Sequence, residues 1–483
     1  MDQDRTPLFD AIREYNRIRP AYFRIPGHRY ERGVSSRWTE LVGGEIFKFD
    51  LTETPLLDDL HHPESAIKEA QELAAEVFGA LRSFFLVNGT TCGNEAMIAS
   101  TAFEGQKIAI PRNAHKSALM GLIISGARPI YVMPGLSSEF GLQGGISPQA
   151  ADAVFRENPD CKGLMVVSPT YYGICSDIRG LSESCHRHGA ALIVDEAHGA
   201  HMYFSERLPD GALAQGADMC AQSIHKVTGS LTQSSMLHIG SGLVDGDRVE
   251  ATLHIVQSTS PSYLLMTSLD LARRELALNG RGLIANAVDL ALYARNAIDG
   301  IDGIACAGEG ITGTAGIAGM DTTRLVISAG RIGLTGFELK RILYEGYGVD
   351  LELSDHANAL AIVTFANTRE DIDRLIAALR DIGEKRGGGP PIGDGTPLPP
   401  IPPYALSPRE AYFASKRIIP WQDARGKVAS EMIAPYPPGI PVIYPGEIVS
   451  DEVWEYVEAF RLRKGHLHGP ADGGLDSYKV IDA

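Results

Sequence analysis

Two patterns of apolar and polar residues alternate along this chain. One has the helical period: PESAIKEAQELAAEVFG (63–79) places Ile67, Ala70, Ala74 and Val77 on one face, with proline at its start and glycine at its end. The other is a short, unbroken apolar run of strand length, as in SFFLV (83–87), GLMVVS (163–168) and ALIV (191–194). Each run gives way to polar or glycine-containing residues and then to a helical pattern. Strand, loop and helix in succession predict an α/β fold with a mostly parallel central sheet flanked by helices. In such a fold ligand chemistry gathers at the C-terminal ends of the strands.

The pattern changes further on. DTTRLVISAG (321–330), a helical FELKRILYEGYG (337–348) and ALAIVTFA (359–366) predict a small α+β domain. RGGGPPIGDGTPLPPIPP (386–403) is too dense in glycine and proline for a helix or central strand and reads as a linker. Beyond it come the apolar VIYPGE (442–447) and a helical DEVWEYVEAFRLRKGHL (451–467). The expected organisation is an N-terminal arm over 1–50, a large domain over 51–290, the small domain over 291–385, the linker over 386–403 and a C-terminal domain over 404–483.

Composition narrows the possibilities. A net charge of −16 argues against nucleic acid, which needs a basic face. The six cysteines are scattered without a CxxC pair, which suits neither a zinc site nor a disulfide framework and predicts a reducing compartment. The charged N-terminus, MDQDRTPLFDAIREYNRIRP, has no apolar signal core, and no apolar run approaches membrane-spanning length. A cytoplasmic protein is expected.

Three stretches carry candidate chemistry. After the run FFLV (84–87), NGTTCGNEAMIAS (88–100) places Gly89, Thr90 and Thr91 at a helix start. Backbone N–H groups, positive dipole and hydroxyls there can cradle a phosphate. ALIVDEAHGAH (191–201) sets Asp195 at the end of a buried strand, where a carboxylate needs a cation or hydrogen-bond donors. Asp195, Glu196, His198 and His201 also read as possible metal ligands, although Gly199 discourages the helix that would align the histidines. SIHKVTG (223–229) buries Lys226 in apolar company without charged neighbours. Phosphate cup, buried carboxylate and secluded lysine together meet the needs of pyridoxal 5′-phosphate. The lysine takes the aldehyde, the carboxylate keeps the ring nitrogen protonated, and the cup, with Ser223 nearby, takes the phosphate. No metal is required.

The motifs IPGHR (25–29), DLTETPLLDDLHHPESAIKEAQELAAEVFGA (50–80), FFLVNGTTCGNEAM (84–97), PRNAHKS (111–117), SPTYYGICSDI (168–178), VDEAHGAHMYF (194–204), QSIHKVTGSLTQSSMLH (222–238), QSTSPSYLLMTSLD (257–270) and PYPPGIPVIYPGE (435–447) follow in order. Together they resemble the bacterial ornithine/lysine/arginine decarboxylases, in the shorter form without an N-terminal wing domain. The resemblance implies an aspartate-aminotransferase-like fold of type I, with pyridoxal phosphate at a homodimer interface and a decarboxylase-type C-terminal domain. It implies Lys226 as the covalent lysine, Asp195 as the ring-nitrogen partner, His115 stacked on the ring and His198 near the ring hydroxyl beside Ala197. Thr90, Thr91, Ser223 and His225 meet or flank the phosphate, and Thr259 and Ser260 reach that of the neighbouring subunit. The implied reaction converts arginine, lysine or ornithine to its amine and carbon dioxide, feeding polyamine metabolism.

Return of a proton to the α-carbon needs an acid, for which His225 and Lys226 are the candidates. The cationic end of the substrate calls for a carboxylate, with Glu447 in YPGE and Asp58 or Asp59 in LLDDLHH as candidates. An aminotransferase or lyase of the same fold, and a non-catalytic regulatory homologue, are the rival readings.

Overall fold

The computed structural model describes residues 1–18, 20–138, 140–386, 398–436, 440–462 and 466–482. Seven strands form the main sheet: β1 (Arg82–Leu86), β2 (Lys107–Pro111), β3 (Arg128–Val132), β4 (Cys161–Val167), β5 (Ala191–Asp195), β6 (Met219–Gln222) and β7 (Ser235–Ile239). Their order is β1-β7-β6-β5-β4-β2-β3. β7 runs antiparallel to both its neighbours, whereas β5 with β6, β4 with β2 and β2 with β3 are parallel. The three apolar runs of the sequence are β1, β4 and β5. Every residue of β6 and β7 is buried, as expected of strands covered on both faces.

The chain divides into two compact units. The first comprises Met1–Ser100, Ile193–Glu206 and Asp210–Ile284. Its helix α1 (Ala66–Phe78) buries Ile67, Ala70 and Ala74 as the periodicity predicts, and ends on Gly79 in the left-handed conformation. The start differs from the expectation. Pro63 lies outside the helix, and the carboxylate of Asp58 accepts the N–H groups of Glu64, Ser65, Ile67 and Lys68. Helix α2 (Gly89–Thr101) follows β1.

The second unit comprises Thr101–Leu192, Arg207–Pro209 and Ala285–Ala483. Helix α3 (Lys116–Ser125) follows β2. Within the stretch expected as a small domain lies a four-stranded antiparallel sheet, Ala305–Cys306, Arg324–Ser328, Asn358–Ile362 and Leu353–Ser354 in that order. Helices Gly336–Tyr347 and Arg369–Lys385 cover it, each opened by a capping box, Thr335 with Glu338 and Thr368 with Asp371. Most of the linker predicted over 386–403 lies outside the described residues. Beyond it a separate core gathers Trp421, Ile433, Ile443, Val453, Val457 and Tyr478. The helix predicted over 451–467 is Asp451–Leu462, and His466–His468 is instead a strand paired with Ala434–Tyr436. Strand pairing overrides helical periodicity there, beyond a glycine at position 465.

All six cysteines are buried and none forms a disulfide. No helix among the described residues is long and apolar enough to cross a membrane.

Candidate active site

One glycine shapes the start of α2. Gly89 has φ +71°, the left-handed region, and its N–H donates to the carbonyl of Gln233 at 2.9 Å. Gly93, one turn on, lets the helix approach the sheet. A Cβ at that position would lie 2.9 Å from both Ala221 Cβ and Leu86 Cδ1. The helix start is thereby held against the ends of β6 and β7, and hydroxyls converge. Thr90 Oγ1 shares a hydrogen bond with Ser223 Oγ and donates to Ser235 Oγ at 3.3 Å. Thr91 is half-buried beside them. Hydroxyls from three segments and the N–H groups of a helix N-terminus suit a phosphate. Ser235 escaped the sequence reading, because nothing local marks it as part of the cup.

Asp195 ends β5 with 3% of its surface exposed. Its Oδ2 accepts Asn94 Nδ2 at 2.7 Å and its Oδ1 accepts the Ala197 N–H at 3.2 Å. Both donors are neutral amides, and their hydrogen bonds ease the burial of this carboxylate. Asn94, from α2, is the second residue that sequence reasoning missed.

Ser223 precedes the one-turn helix α4 (Ile224–Val227), which carries His225 and Lys226. Lys226 Nζ lies 3.0 Å from Nε2 of the buried His198. His225 Nδ1 lies 2.8 Å from the carbonyl oxygen of Ser234. A carbonyl only accepts, so Nδ1 holds the proton and Nε2 offers a lone pair. Burial pushes the His225 pKa down; the Ser234 bond opposes this and neighbouring Lys226 adds to it. His225 is therefore neutral near pH 7.

The first unit thus brings together Gly89, Thr90, Thr91, Asp195, Ala197, His198, Ser223, His225 and Lys226. The set fits pyridoxal phosphate by its donor chemistry: hydroxyls for the phosphate, a buried carboxylate with amide partners for a protonated ring nitrogen, and an amine for the aldehyde. His115, in the second unit, is the exposed N-cap of α3. Its Nδ1 is 2.8 Å from Ser117 Oγ and accepts the Ser117 N–H at 3.3 Å, which leaves the ring proton on Nε2. Thr259 and Ser260 are exposed in the loop before helix Tyr263–Asp299.

Two of the expected substrate carboxylates are engaged within the chain. Glu447 is 1% exposed and already paired. Its Oε1 accepts Arg112 Nη1 at 2.5 Å, and its Oε2 accepts Arg112 Nη2 at 2.8 Å and the Tyr444 N–H at 2.7 Å. The Arg112 guanidinium lies 4.7 and 4.8 Å from the ring centroids of Tyr131 and Tyr444, which stack on each other. A resident cation holds the lone pairs that a substrate cation would need. Asp58 is occupied as well, since it gathers the N–H groups at the start of α1. Burial works to raise its pKa, but those donors outweigh it and the net shift is downward.

Glu196, a possible metal ligand in the sequence, points its carboxylate elsewhere. It accepts the Ala212 N–H at 2.7 Å, Gln222 Nε2 at 2.8 Å and the Tyr203 hydroxyl at 2.9 Å. Among the described residues no group of three or more His, Cys, Asp and Glu could hold a metal.

Comparison with known proteins finds matches along the chain. The major domain of Orn/Lys/Arg decarboxylases matches residues 6–371, and the C-terminal domain of the same enzymes matches residues 399–470. An arginine decarboxylase of Halalkalibacterium halodurans is 41% identical over 483 residues, covering 99% of this chain and 98% of that protein. One of Bacillus subtilis is 40% identical, with 100% and 99% covered. The crystal structure of a Francisella novicida lysine decarboxylase superimposes with a TM-score of 0.84 at 21% identity, over 99% of this chain and 81% of that one.

Proposed function

Because this chain belongs to the ornithine/lysine/arginine decarboxylase family, which uses pyridoxal phosphate to decarboxylate basic amino acids, we propose L-arginine as its substrate. One observation carries the choice among the three amino acids: relatives at about 40% identity over the whole chain are arginine decarboxylases.

Each residue has a distinct task in this reading. Lys226 holds the cofactor covalently. Thr90, Thr91, Ser223, Ser235 and the helix-start N–H groups that follow Gly89 hold its phosphate, and Asp195 keeps a proton on the ring nitrogen. The bound group supplies a sink for the electron pair left behind when carbon dioxide departs. His198 orients the Lys226 amine through their 3.0 Å contact and shares a proton with it. His225, neutral and with its proton on Nδ1 facing a carbonyl, is poorly placed to act as an acid. The return of a proton to the α-carbon is therefore assigned to Lys226. Thr259 and Ser260 serve the phosphate of a second copy of the chain. On this last assignment a monomer carries less than its full complement of cofactor.

Borohydride should fix the cofactor covalently to the wild-type protein but not to Lys226→Ala, as the mass of the denatured chain would show. Given arginine, lysine and ornithine separately, the wild type should release carbon dioxide fastest from arginine. Faster release from lysine or ornithine would replace the substrate; release from none of the three would reject it.

A further inference from the structure

Strand β1 is the outermost of its sheet, paired with a strand on one side only, β7. An edge strand leaves backbone N–H and C=O groups without strand partners, and buried ones must find others. Here two glutamine side chains supply them. Gln71, from α1, accepts the Phe85 N–H on its Oε1 at 2.8 Å. Gln257 ends helix α5 (Gly246–Val256) as its C-cap. Its Oε1 accepts the Val87 N–H at 2.9 Å, and its Nε2 donates to Phe85 O at 3.4 Å. A carboxamide that takes the carbonyl of one residue and the N–H of the second residue after it does what one residue of a parallel strand would do. Phe85 and Val87 are 0% and 4% exposed, and Gln71 and Gln257 7% and 8%, so these bonds are not readily handed to water.

These bonds hold the approach to the phosphate cup. β1 ends at Leu86, and only Val87 and Asn88 separate it from Gly89 and Thr90. Leu86 lies opposite Ser235 in the pairing with β7, and Ser235 Oγ accepts the Thr90 hydroxyl. The cup is therefore built from strand ends whose register is set by β7 on one side of β1 and by the two glutamines on the other. Removing the glutamines leaves buried backbone groups of Phe85 and Val87 unpaired, and any relaxation there carries Gly89 and Thr90 with it.

We propose that Gln257 and Gln71 are positioning residues for the cofactor phosphate. They stand in for a missing strand at the open edge of β1, and so set where Thr90 and the helix-start N–H groups lie against Ser223 and Ser235. Both act through the β1 backbone, not on the ligand itself. All of these residues belong to the first unit. This role rests on the phosphate site assigned above and deepens it.

The test uses the full chain, stripped of cofactor, and two ligands, pyridoxal 5′-phosphate and pyridoxal. They share the aldehyde and the ring nitrogen and differ in the phosphate. Dissociation constants for both are measured by titration in the wild type, Gln257→Leu, Gln71→Leu and a control, Thr90→Val/Ser223→Ala. Gln257→Leu should weaken the phosphorylated ligand about tenfold and Gln71→Leu about threefold, while pyridoxal stays within about twofold of the wild type. An equal loss for both ligands in Gln257→Leu would overturn the positioning role, because a general loosening of the fold does not distinguish them. Wild-type affinity for both ligands would overturn it too. Where Gln257→Leu fails to fold, Gln71→Leu decides by the same ratio. The control separates this role from the site it serves. If the control lowers the preference for the phosphorylated ligand and Gln257→Leu does not, the positioning role alone falls. If the control leaves that preference unchanged, the phosphate site falls and the positioning role with it.

Discussion

Asp195 and Glu196 are adjacent, buried and acidic, yet their surroundings give them different work. Asp195 meets two amide donors, from Asn94 and Ala197. Glu196 is closed in by a tyrosine, a glutamine and a backbone N–H, and burial pushes its pKa up against those donors. Asp195→Asn should retain cofactor but lower kcat about a thousandfold, roughly 4 kcal/mol of barrier. Stopped-flow measurement on the cofactor-loaded variant checks this, and a normal rate would remove Asp195 from the mechanism. At this scale the sequence was informative wherever a residue's role shows in its immediate neighbours. Lys226 among apolar residues, Asp195 at a strand end and Thr90 after a glycine are of this kind. It was uninformative about partners. Asn94 and Asp195 are 101 residues apart, Thr90 and Ser235 145, Arg112 and Glu447 335. Which buried carboxylate already pairs with a cation is decided by the fold, and the Arg112–Glu447 pair could not be read from the residues around Glu447.

At the scale of elements, a polar chain crosses the ends of neighbouring strands. Ser83 Oγ on β1 lies 2.6 Å from His238 Nδ1 on β7, His238 Nε2 lies 3.1 Å from Gln222 Oε1 on β6, and Gln222 donates on to Glu196 after β5. With Phe78 also against its ring, burial pushes the His238 pKa from 6.5 down to about 3. The unfolded chain takes up this proton below about pH 6.5, while the folded chain resists until about pH 3. Stability from this group is therefore complete above pH 6.5 and is lost as pH falls. The loss should reach about 3 kcal/mol at pH 4. Urea midpoints measured from pH 7 to pH 4 should fall more steeply in the wild type than in His238→Gln; equal slopes would refute the assignment. The Arg112–Glu447 pair is tested at the same scale. Glu447→Gln leaves the Arg112 charge buried with half its partner and should cost about 3–5 kcal/mol in urea unfolding. A variant of unchanged stability would mean that the pair contributes nothing to the second unit.

For the whole molecule, the alternation of apolar runs with helical periods was enough to foresee a mostly parallel α/β sheet, because fully buried strands must read as unbroken apolar runs. It could not foresee that β7 runs antiparallel, since direction within a sheet leaves no mark on a strand covered on both faces. Nor could it foresee that His466–His468 leaves the helical pattern to pair with Ala434–Tyr436, a choice made by a partner some thirty residues away in sequence.

The six buried cysteines have a practical consequence. Burial pushes the thiol of Cys92 up to about 12, that of Cys306 to about 11 and that of Cys220 well above its ordinary value. A folded chain should therefore be nearly silent to an alkylating reagent, whose target is the thiolate. Cys92 and Cys220 belong to the first unit, and Cys161, Cys175, Cys185 and Cys306 to the second. Brief alkylation followed by mass spectrometry then becomes a clock with two hands, showing which unit opens first as the protein is stressed or stripped of its cofactor.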